Sequence, residues 1–280
     1  MGILEAIVLG IVQGLTEFLP ISSSAHLRIV GELFPSLGDP GVTFTAVTQI
    51  GTETAVIIYF WKDIVRIVSH WFKSLPIGPW KNQVPRNDPS ARMGWIVILG
   101  TFPIVILGLF LEVWIDSIFR NLYLTALMLA VFALLLGLAD RFGTRTKELG
   151  DMSIRHGITL GFAQAMALVP GVSRSGGTIT VGLALGYTRS AAARISFFLA
   201  IPAVMGSGFY RLLTDDGTGP QVGAMPTLVA TISAFVVGFA VIVGFLKLVE
   251  TRSYLPFVIY RLVLAVAVVS MLGQGILSPY

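Results

Sequence analysis

The sequence predicts an all-α polytopic membrane protein with six transmembrane helices, two re-entrant helical hairpins and an inverted-topology repeat. Three observations lead there: the composition, six apolar runs of spanning length, and two broken apolar segments that resemble each other. Of the 280 residues, 55% are hydrophobic and 12% are charged, and the mean hydropathy is +0.83. Charged residues make up about a quarter of a typical soluble domain. A chain this apolar is typical of a protein embedded in a lipid bilayer.

The first broken segment opens the chain. Residues 3–19 form an apolar run that ends at Pro20 and a cluster of serines, and a short apolar piece then continues to Leu33. Non-helical backbone at membrane depth is tolerated only where it is buried in protein or lines water. We therefore expect residues 2–33 to form a re-entrant hairpin. The alternative is an ordinary span kinked at its proline.

Six other apolar runs approach the twenty residues that a helix needs to cross a bilayer. Three follow the first broken segment and three follow the second. A proline-containing stretch, residues 63–91, separates the first two runs and is expected to be a flexible cytoplasmic connection. The predicted spans are residues 43–61, 93–115, 122–139, 191–213, 228–248 and 256–277.

The second broken segment lies at residues 154–186, where an apolar run breaks at Pro170 and then resumes. It is expected to form the second re-entrant hairpin. It also repeats the first segment, since Gly10 and Gln13 recur 151 residues later in the same order. Two related segments, each followed by three spans, are the arrangement of a duplicated unit. We expect the two repeats to be residues 1–150 and 151–280.

Three is an odd number of crossings, so the second hairpin enters from the face opposite to the first. The repeats are then inverted, and the hairpin tips can meet near the midplane. Most lysines and arginines fall on the face that carries the loop of residues 62–92, and the positive-inside rule makes that face cytoplasmic. Both termini are then extracytoplasmic. The N-terminus lacks the basic region of a removable signal peptide, so we expect no cleavage.

Several classes of function are disfavoured by composition. The chain has no cysteine, which excludes a disulfide framework and a thiolate metal site, and its three histidines leave little for a zinc centre. The net charge of +4 is explained by the basic loops, so no nucleic-acid partner is expected.

The first hairpin concentrates polar chemistry around its break. Gln13 and Glu17 stand at i and i+4, on one face of the arm, and Ser22, Ser23 and His26 follow within ten residues. Each has an ordinary explanation, namely a snorkelling glutamate, helix-capping serines and an imidazole at a polar boundary. Capping needs one serine and no glutamate, so the cluster favours a site.

The second hairpin carries an anion-binding pattern at residues 170–178. Three glycines let backbone N–H groups approach an anion, and the start of the following helix favours negative charge. Arg174 adds a planar fork suited to phosphate oxygens. A small-residue packing motif would explain the glycines but not the arginine. One tip therefore offers a base or nucleophile and the other a phosphate clamp, a division that suits hydrolysis of a diphosphate.

At residues 13–26 and 170–178 the sequence resembles the undecaprenyl-diphosphate phosphatases of the bacitracin-resistance family, and the likeness extends over essentially the full chain. The resemblance implies hydrolysis of undecaprenyl diphosphate to undecaprenyl phosphate and inorganic phosphate. That reaction recycles the lipid carrier for peptidoglycan synthesis and confers bacitracin resistance. It also implies a bacterial plasma-membrane location, with an active site that opens to the outer face.

The same resemblance implies catalytic roles for Glu17, Ser23 and His26. Gln13 stands where many members have a glutamate, so one carboxylate replaces a pair and metal coordination there is in doubt. Ser23 is the expected nucleophile, with Glu17 or His26 activating it; direct attack by His26, or a water activated by Glu17, stays open. The expected substrate-binding residues are Arg174, Ser173, Ser175, Thr178, Gln13 and Ser22.

The expected partners are a polyprenyl diphosphate lipid and the bilayer, and a homodimer is left open. A Mg²⁺ or Ca²⁺ ion could bridge Glu17 and the diphosphate, and no organic cofactor is expected. Arg28 and Arg261 are expected to anchor the protein at the membrane interface, and a contact with phosphate is the alternative for both. The competing hypothesis is a lipid-phosphate flippase, alone or combined with the phosphatase, because inverted repeats with broken helices also build transporters.

Overall fold

The computed structural model describes residues 1–33, 40–80, 83–115, 118–214 and 222–280. Within these ranges the chain is built from helices, without a β-strand. The helices of the first half are α1 (Ile3–Thr16), α2 (Ser23–Leu33), α3 (Gly41–Tyr59), α4 (Trp61–Ser74), α5 (Pro89–Phe110), α6 (Glu112–Ile115) and α7 (Leu122–Phe142). Those of the second half are α8 (Ile154–Ala165), α9 (Arg174–Ala184), α10 (Arg189–Thr214), α11 (Ala224–Thr251) and α12 (Leu255–Gly273).

Five of the described helices are long and apolar enough to cross a membrane: α5, α7, α10, α11 and α12. They coincide with five of the six predicted spans. The sixth prediction, residues 43–61, coincides with α3, which is 19 residues long but is not among the five. Threonines and a buried glutamate, Glu53, lower the hydropathy of α3. The described residues thus confirm an all-helical protein, with five helices that are long and apolar enough to cross a membrane.

The prediction of a flexible connection over residues 63–91 is wrong for its first part. Helix α4 begins at Trp61 and ends at Ser74, and α5 begins at Pro89. The periodicity explains the helix, because Ile64 and Ile67 lie on one face and pack against the main hydrophobic core. Trp71, on the same face, packs against Gly94 of α5.

The arms of the two hairpins pack on the long helices through glycine. A Cβ atom at Gly10 of α1 would lie 2.4 Å from the Ala230 carbonyl oxygen of α11. A Cβ at Gly161 of α8 would lie 2.2 Å from the carbonyl oxygen of Gly100 in α5. Such close backbone contact is how membrane helices associate, since lipid offers no hydrophobic driving force between them. The glycine pair noticed in the sequence therefore seats both first arms against their supports.

An aromatic core lies next to the tip of the first hairpin. Phe18, one residue after Glu17, meets Phe197 of α10 edge to face, with ring centroids 5.4 Å apart. Phe197 in turn contacts Phe60 and Phe245. This cluster packs α10 and α11 against the first hairpin and fixes the position of the backbone that carries Glu17.

Candidate active site

The two hairpin tips share one backbone device. Ser22 and Ser173 have φ angles of 73° and 70°, and each directly precedes the second arm of its hairpin. Among the described residues only one other non-glycine, Arg145, has a positive φ. Such residues are uncommon and cluster at functional sites. The hydroxyl of Ser173 caps α9 by accepting a hydrogen bond from the Gly176 N–H at 3.1 Å.

The tips touch each other directly. The Gly171 N–H donates to the Ser22 hydroxyl at 3.3 Å, and the Ser175 hydroxyl donates to the Leu19 carbonyl at 3.1 Å. These bonds join segments about 150 residues apart in the chain. Two breaks that were predicted separately from the sequence therefore form one structural unit.

Arg261 of α12 ties the two tips together. Its side chain is fully buried, and its guanidinium donates to the carbonyl oxygens of Pro20 at 3.0 Å, Gly171 at 2.7 Å and Val172 at 3.1 Å. It also donates to the Leu129 carbonyl of α7 at 3.2 Å. The expectation that Arg261 anchors the protein at the membrane interface is wrong. Its hydrogen bonds satisfy carbonyl groups that the irregular backbone of the tips leaves without helical partners.

Glu17 is the centre of the polar cluster and is 7% exposed. One carboxylate oxygen, Oε2, accepts hydrogen bonds from the Ser23 hydroxyl and the Gln13 amide, both at 2.6 Å. The other, Oε1, forms an ion pair with Arg174 of the second hairpin. The spacing of Gln13 and Glu17 thus places both side chains on one face, and Ser23 reaches Glu17 across the bend.

A second carboxylate, which the sequence reasoning missed, meets the same arginine. Glu53 of α3 is fully buried, and its Oε1 lies 3.0 Å from Arg174 Nη2. A signal was present in the sequence, because a glutamate in the middle of a predicted span is expensive unless it is paired. Arg174 therefore lies between Glu17 and Glu53. Both contacts use Nη2, and the structure gives Nε and Nη1 no partner among the described residues.

His26 lies beside the cluster but makes no hydrogen bond to Ser23 or Glu17. Its Nδ1 is 2.7 Å from the Ser22 carbonyl oxygen, which can only accept, so Nδ1 carries the proton. Its Nε2 lies 2.6 Å from the Tyr260 hydroxyl of α12. In the neutral imidazole, Nε2 therefore accepts from Tyr260.

Two of the expected substrate-binding residues face away from the cluster. The Thr178 hydroxyl is fully buried, donates to the Arg174 carbonyl at 2.8 Å and accepts from the Ser196 hydroxyl of α10 at 2.8 Å. Ser175 is buried and bonded to the first hairpin tip. Both support the tips, whereas Ser173 and Arg174 face open space.

A cavity of about 510 Å³ opens beside the cluster. Glu17, Ser23 and Arg174 line it near the tips, and apolar side chains of α3, α5 and α10 supply much of the remaining wall. That volume is within the ordinary range for a small-molecule site. The polar lining consists of Glu17, Ser22, Ser23, Ser24, Ser173 and Arg174 near the tips, and of Thr45, Gln49, Glu112, Ser207, Tyr210 and Arg211 further out.

The donor set does not form a protein cage for a metal ion. Among the described residues, no group of three or more histidine, aspartate or glutamate side chains converges. Both Glu17 oxygens already have partners. The arrangement does fit an ion bound by one carboxylate together with substrate phosphates, the usual way in which Mg²⁺ is held.

The chain is similar over nearly its whole length to several known proteins named undecaprenyl-diphosphatase. The chain is 57% identical over 278 residues to the undecaprenyl-diphosphatase of Micrococcus luteus, a match that covers 98% of this chain and 99% of that protein. It is 57% identical over 279 residues to undecaprenyl-diphosphatase 2 of Agrobacterium fabrum, with 99% and 98% covered. It is 58% identical over 278 residues to the undecaprenyl-diphosphatase of an Arthrobacter species, with 98% and 95% covered.

The family profile described as bacitracin resistance protein BacA matches residues 6–267, which include the second hairpin, all but the first few residues of the first hairpin and every residue of the polar cluster. Five apolar helices and these relatives together make the protein a multi-pass membrane protein. The chain belongs to the bacitracin resistance protein BacA family.

Proposed function

We propose that this protein hydrolyses undecaprenyl diphosphate to undecaprenyl phosphate and inorganic phosphate. The observation that carries the proposal is the Ser23–Glu17–Arg174 arrangement at the polar end of the cavity. It offers a hydroxyl bonded to a base, next to a guanidinium suited to phosphate. The relatives named undecaprenyl-diphosphatase support the substrate and the reaction.

The diphosphate binds to the two guanidinium nitrogens of Arg174 that do not contact the carboxylates. The Nε and Nη1 donors are free to take two phosphate oxygens, while Nη2 stays with the carboxylates. A bidentate arginine–phosphate contact is strong and directional. Ser173 lies next to Arg174 at the cavity and adds a hydroxyl. The apolar walls of the cavity accommodate the part of the prenyl chain nearest to the diphosphate.

The chemistry belongs to the first tip. Ser23 Oγ attacks the terminal phosphorus while Glu17, which already accepts its hydrogen bond, takes the proton. The bond between that phosphorus and the bridging oxygen breaks, undecaprenyl phosphate leaves, and Glu17 gives its proton up to solvent. Water then attacks the phosphoserine, and Glu17 takes the proton from that water and passes it to Ser23 Oγ as the phosphorus–serine bond breaks and inorganic phosphate leaves. Arg174 stabilises the charge on the transferred phosphoryl group throughout.

Geometry favours Glu17 over His26 as the base for Ser23. His26 has both nitrogens engaged elsewhere, and its Nε2 reaches the reaction only if Tyr260 releases it. We assign His26, once it has gained a proton from solvent at Nε2 and Tyr260 has released it, to proton delivery toward the leaving oxygen. Direct attack by His26 would require the same rearrangement.

A divalent cation enters the proposal in one limited role. Glu17 would hold Mg²⁺ or Ca²⁺ together with the diphosphate, where the ion would neutralise phosphate charge. Glu17, Ser23 and Arg174 perform the steps described above in either case.

The membrane arrangement that fits this chemistry has six spans and two re-entrant hairpins, with α3 as the sixth span. Residues 1–150 and 151–280 form the two inverted repeats. The matching positive-φ serines at the two tips, 151 residues apart, support the duplication. Both termini lie outside the cytoplasm, and the cavity opens to the outer face of the bacterial plasma membrane. The product re-enters peptidoglycan synthesis as the lipid carrier, and its regeneration confers bacitracin resistance.

Release of inorganic phosphate by the purified protein in detergent tests the proposal. Undecaprenyl diphosphate should be hydrolysed by the wild type, and Arg174→Ala should lower kcat/KM by at least about 100-fold because a buried charge–phosphate contact is lost. A flippase has nothing to transport in a micelle, and the comparisons do not favour that alternative. A pure, folded protein that releases no phosphate would refute the proposal.

A further inference from the structure

We propose that Glu53 supplies the second carboxylate of this active site and positions Arg174 from α3. The inference rests on the proposed function and assigns a role to a residue outside both hairpin motifs. Three features of the structure lead to it: the burial of Glu53, the sharing of one guanidinium nitrogen, and the neutral amide at position 13.

The burial of Glu53 is expensive and its pairing is incomplete. The side chain has no exposed surface, its Oε1 is paired with Arg174, and its Oε2 has no hydrogen-bond partner among the described residues. A buried ion pair retained for stability alone is weakly justified, since apolar residues of the same volume often stabilise as well. An ion pair that leaves one of its oxygens unsatisfied is still less favourable. The burial of Glu53 is explained if its carboxylate positions the Arg174 guanidinium.

The nitrogen that the two carboxylates share indicates the role of Glu53, which is to hold the Arg174 guanidinium in place. Arg174 Nη2 contacts both Glu17 and Glu53. The guanidinium therefore keeps one carboxylate partner when the ion pair with the other carboxylate breaks. In the proposed reaction Glu17 must act on Ser23. Glu53 can hold Arg174 in place during that step, and Nε and Nη1 then remain directed at phosphate. Without Glu53, the one carboxylate in the described part of the chain that still pairs with Arg174 is Glu17, which has to accept the proton.

Position 13 explains why the second carboxylate comes from α3. The Gln13 amide donates to Glu17 Oε2 at 2.6 Å, while its own Oε1 is buried without a partner in the described structure. A glutamate here would bring a second carboxylate to the cluster from α1. Glu53 brings the same charge from α3, to the Arg174 nitrogen that Glu17 also contacts. Positions 13 and 53 are therefore alternative sources of one charge.

A charge-relocation experiment tests this directly. Phosphate release from undecaprenyl diphosphate is measured in detergent for the wild type, Glu53→Gln, Gln13→Glu/Glu53→Gln and the control Glu250→Gln, which removes an exposed carboxylate of α11. Thermal unfolding and gel filtration report the folded fraction of each. We expect E53Q to lower kcat by about 10- to 100-fold, as when a partner that orients an active-site ligand is removed.

KM for E53Q should not rise, because removing a negative charge lowers repulsion of the diphosphate. The double variant should recover most of the lost kcat, and E250Q should match the wild type. A structural role of Glu53 within α3 would not be rescued by a carboxylate on α1. A folded E53Q with wild-type turnover, or a folded double variant as slow as E53Q, would overturn the inference.

The remaining outcomes are also decisive. If E53Q does not fold but the double variant folds and is active, the relocated charge supports the inference. If neither folds, Glu53 is a structural residue and the inference is wrong. If the wild type itself releases no phosphate, the proposed function fails and the inference fails with it. An active wild type beside an unimpaired E53Q overturns the inference alone.

Discussion

Arg261 offers a direct test of whether the two hairpin tips must be held together. It belongs to α12, outside both motifs, and its side chain does not line the cavity. We consider its replacement by methionine, which keeps an unbranched apolar chain, and by lysine, which keeps the charge without the planar fork.

The magnitude follows from the hydrogen bonds. Arg261 donates to the carbonyls of Pro20, Gly171 and Val172 at 3.0, 2.7 and 3.1 Å. A buried acceptor left without its partner costs about 1–3 kcal/mol. Removing the arginine also removes the cost of burying its charge, so we expect the lower half of the resulting range. Arg261→Met should lower the free energy of unfolding by about 3–6 kcal/mol, the lower half of the range for three such acceptors.

Two assays on the same preparations test the reasoning. Unfolding in detergent gives the stability, and phosphate release from undecaprenyl diphosphate gives the activity. Arg261→Met should lose both, and Arg261→Lys should be intermediate, since three donors on one nitrogen cannot span three carbonyls as the fork does. Arg252→Met is the matched control, because Arg252 is exposed at the end of α11. The reasoning is refuted if Arg261→Met unfolds and turns over like the control.

Other predictions concern the chemistry and the packing. Ser23→Ala should lower kcat by at least about 100-fold, because the attacking oxygen is lost; turnover intact in this variant but abolished in His26→Ala would exclude the serine nucleophile. Thorough chelation should reduce phosphate release if Glu17 and the diphosphate share a cation, and unchanged activity would exclude the ion. Gly161→Ala should destabilise by about 1–3 kcal/mol through overpacking, because its Cβ would lie 2.2 Å from the Gly100 carbonyl oxygen. Gly244→Ala should not destabilise the protein, because nothing lies within 4 Å of the added Cβ. Equal free energies of unfolding for the two variants would contradict the packing account.

Local sequence patterns predicted the parts of the site that lie within a few residues of each other. Helical spacing places Gln13 beside Glu17, and the short bend brings Ser23 to the same carboxylate. The serine and glycine pattern at residues 170–178 predicted a helix start close to Arg174, and α9 begins at that residue. These predictions needed only backbone geometry and local hydrogen bonding.

Contacts over long sequence separations could not be predicted in the same way. The ion pair of Glu53 with Arg174 joins residues 121 positions apart, and Arg261 meets Pro20 across 241 positions. Which helices pack together depends on glycine contacts along α1 and α8 that a single sequence does not reveal. Both residues carry a signal when read alone, since a charge within an apolar run needs a partner. The sequence does not identify that partner.

Helix α4 shows the opposite case, in which a visible pattern was given too little weight. The prolines of residues 63–91 all lie after Ser74, where α4 ends, so they do not interrupt the helix. The apolar positions Ile64, Ile67 and Trp71 repeat with helical spacing. The period therefore predicted the element better than the proline content of the whole stretch did.

A double-mutant cycle between Glu17 and Arg174 tests most directly the central claim that the two hairpin tips form one hydrolytic site. kcat/KM for phosphate release would be measured for Glu17→Gln, Arg174→Lys and the double variant. Residues that act as one unit give strongly non-additive losses. Each single variant should lose at least about 100-fold, and the double variant should be little worse than the poorer single one. Losses that multiply, or a single variant with wild-type turnover, would contradict the account.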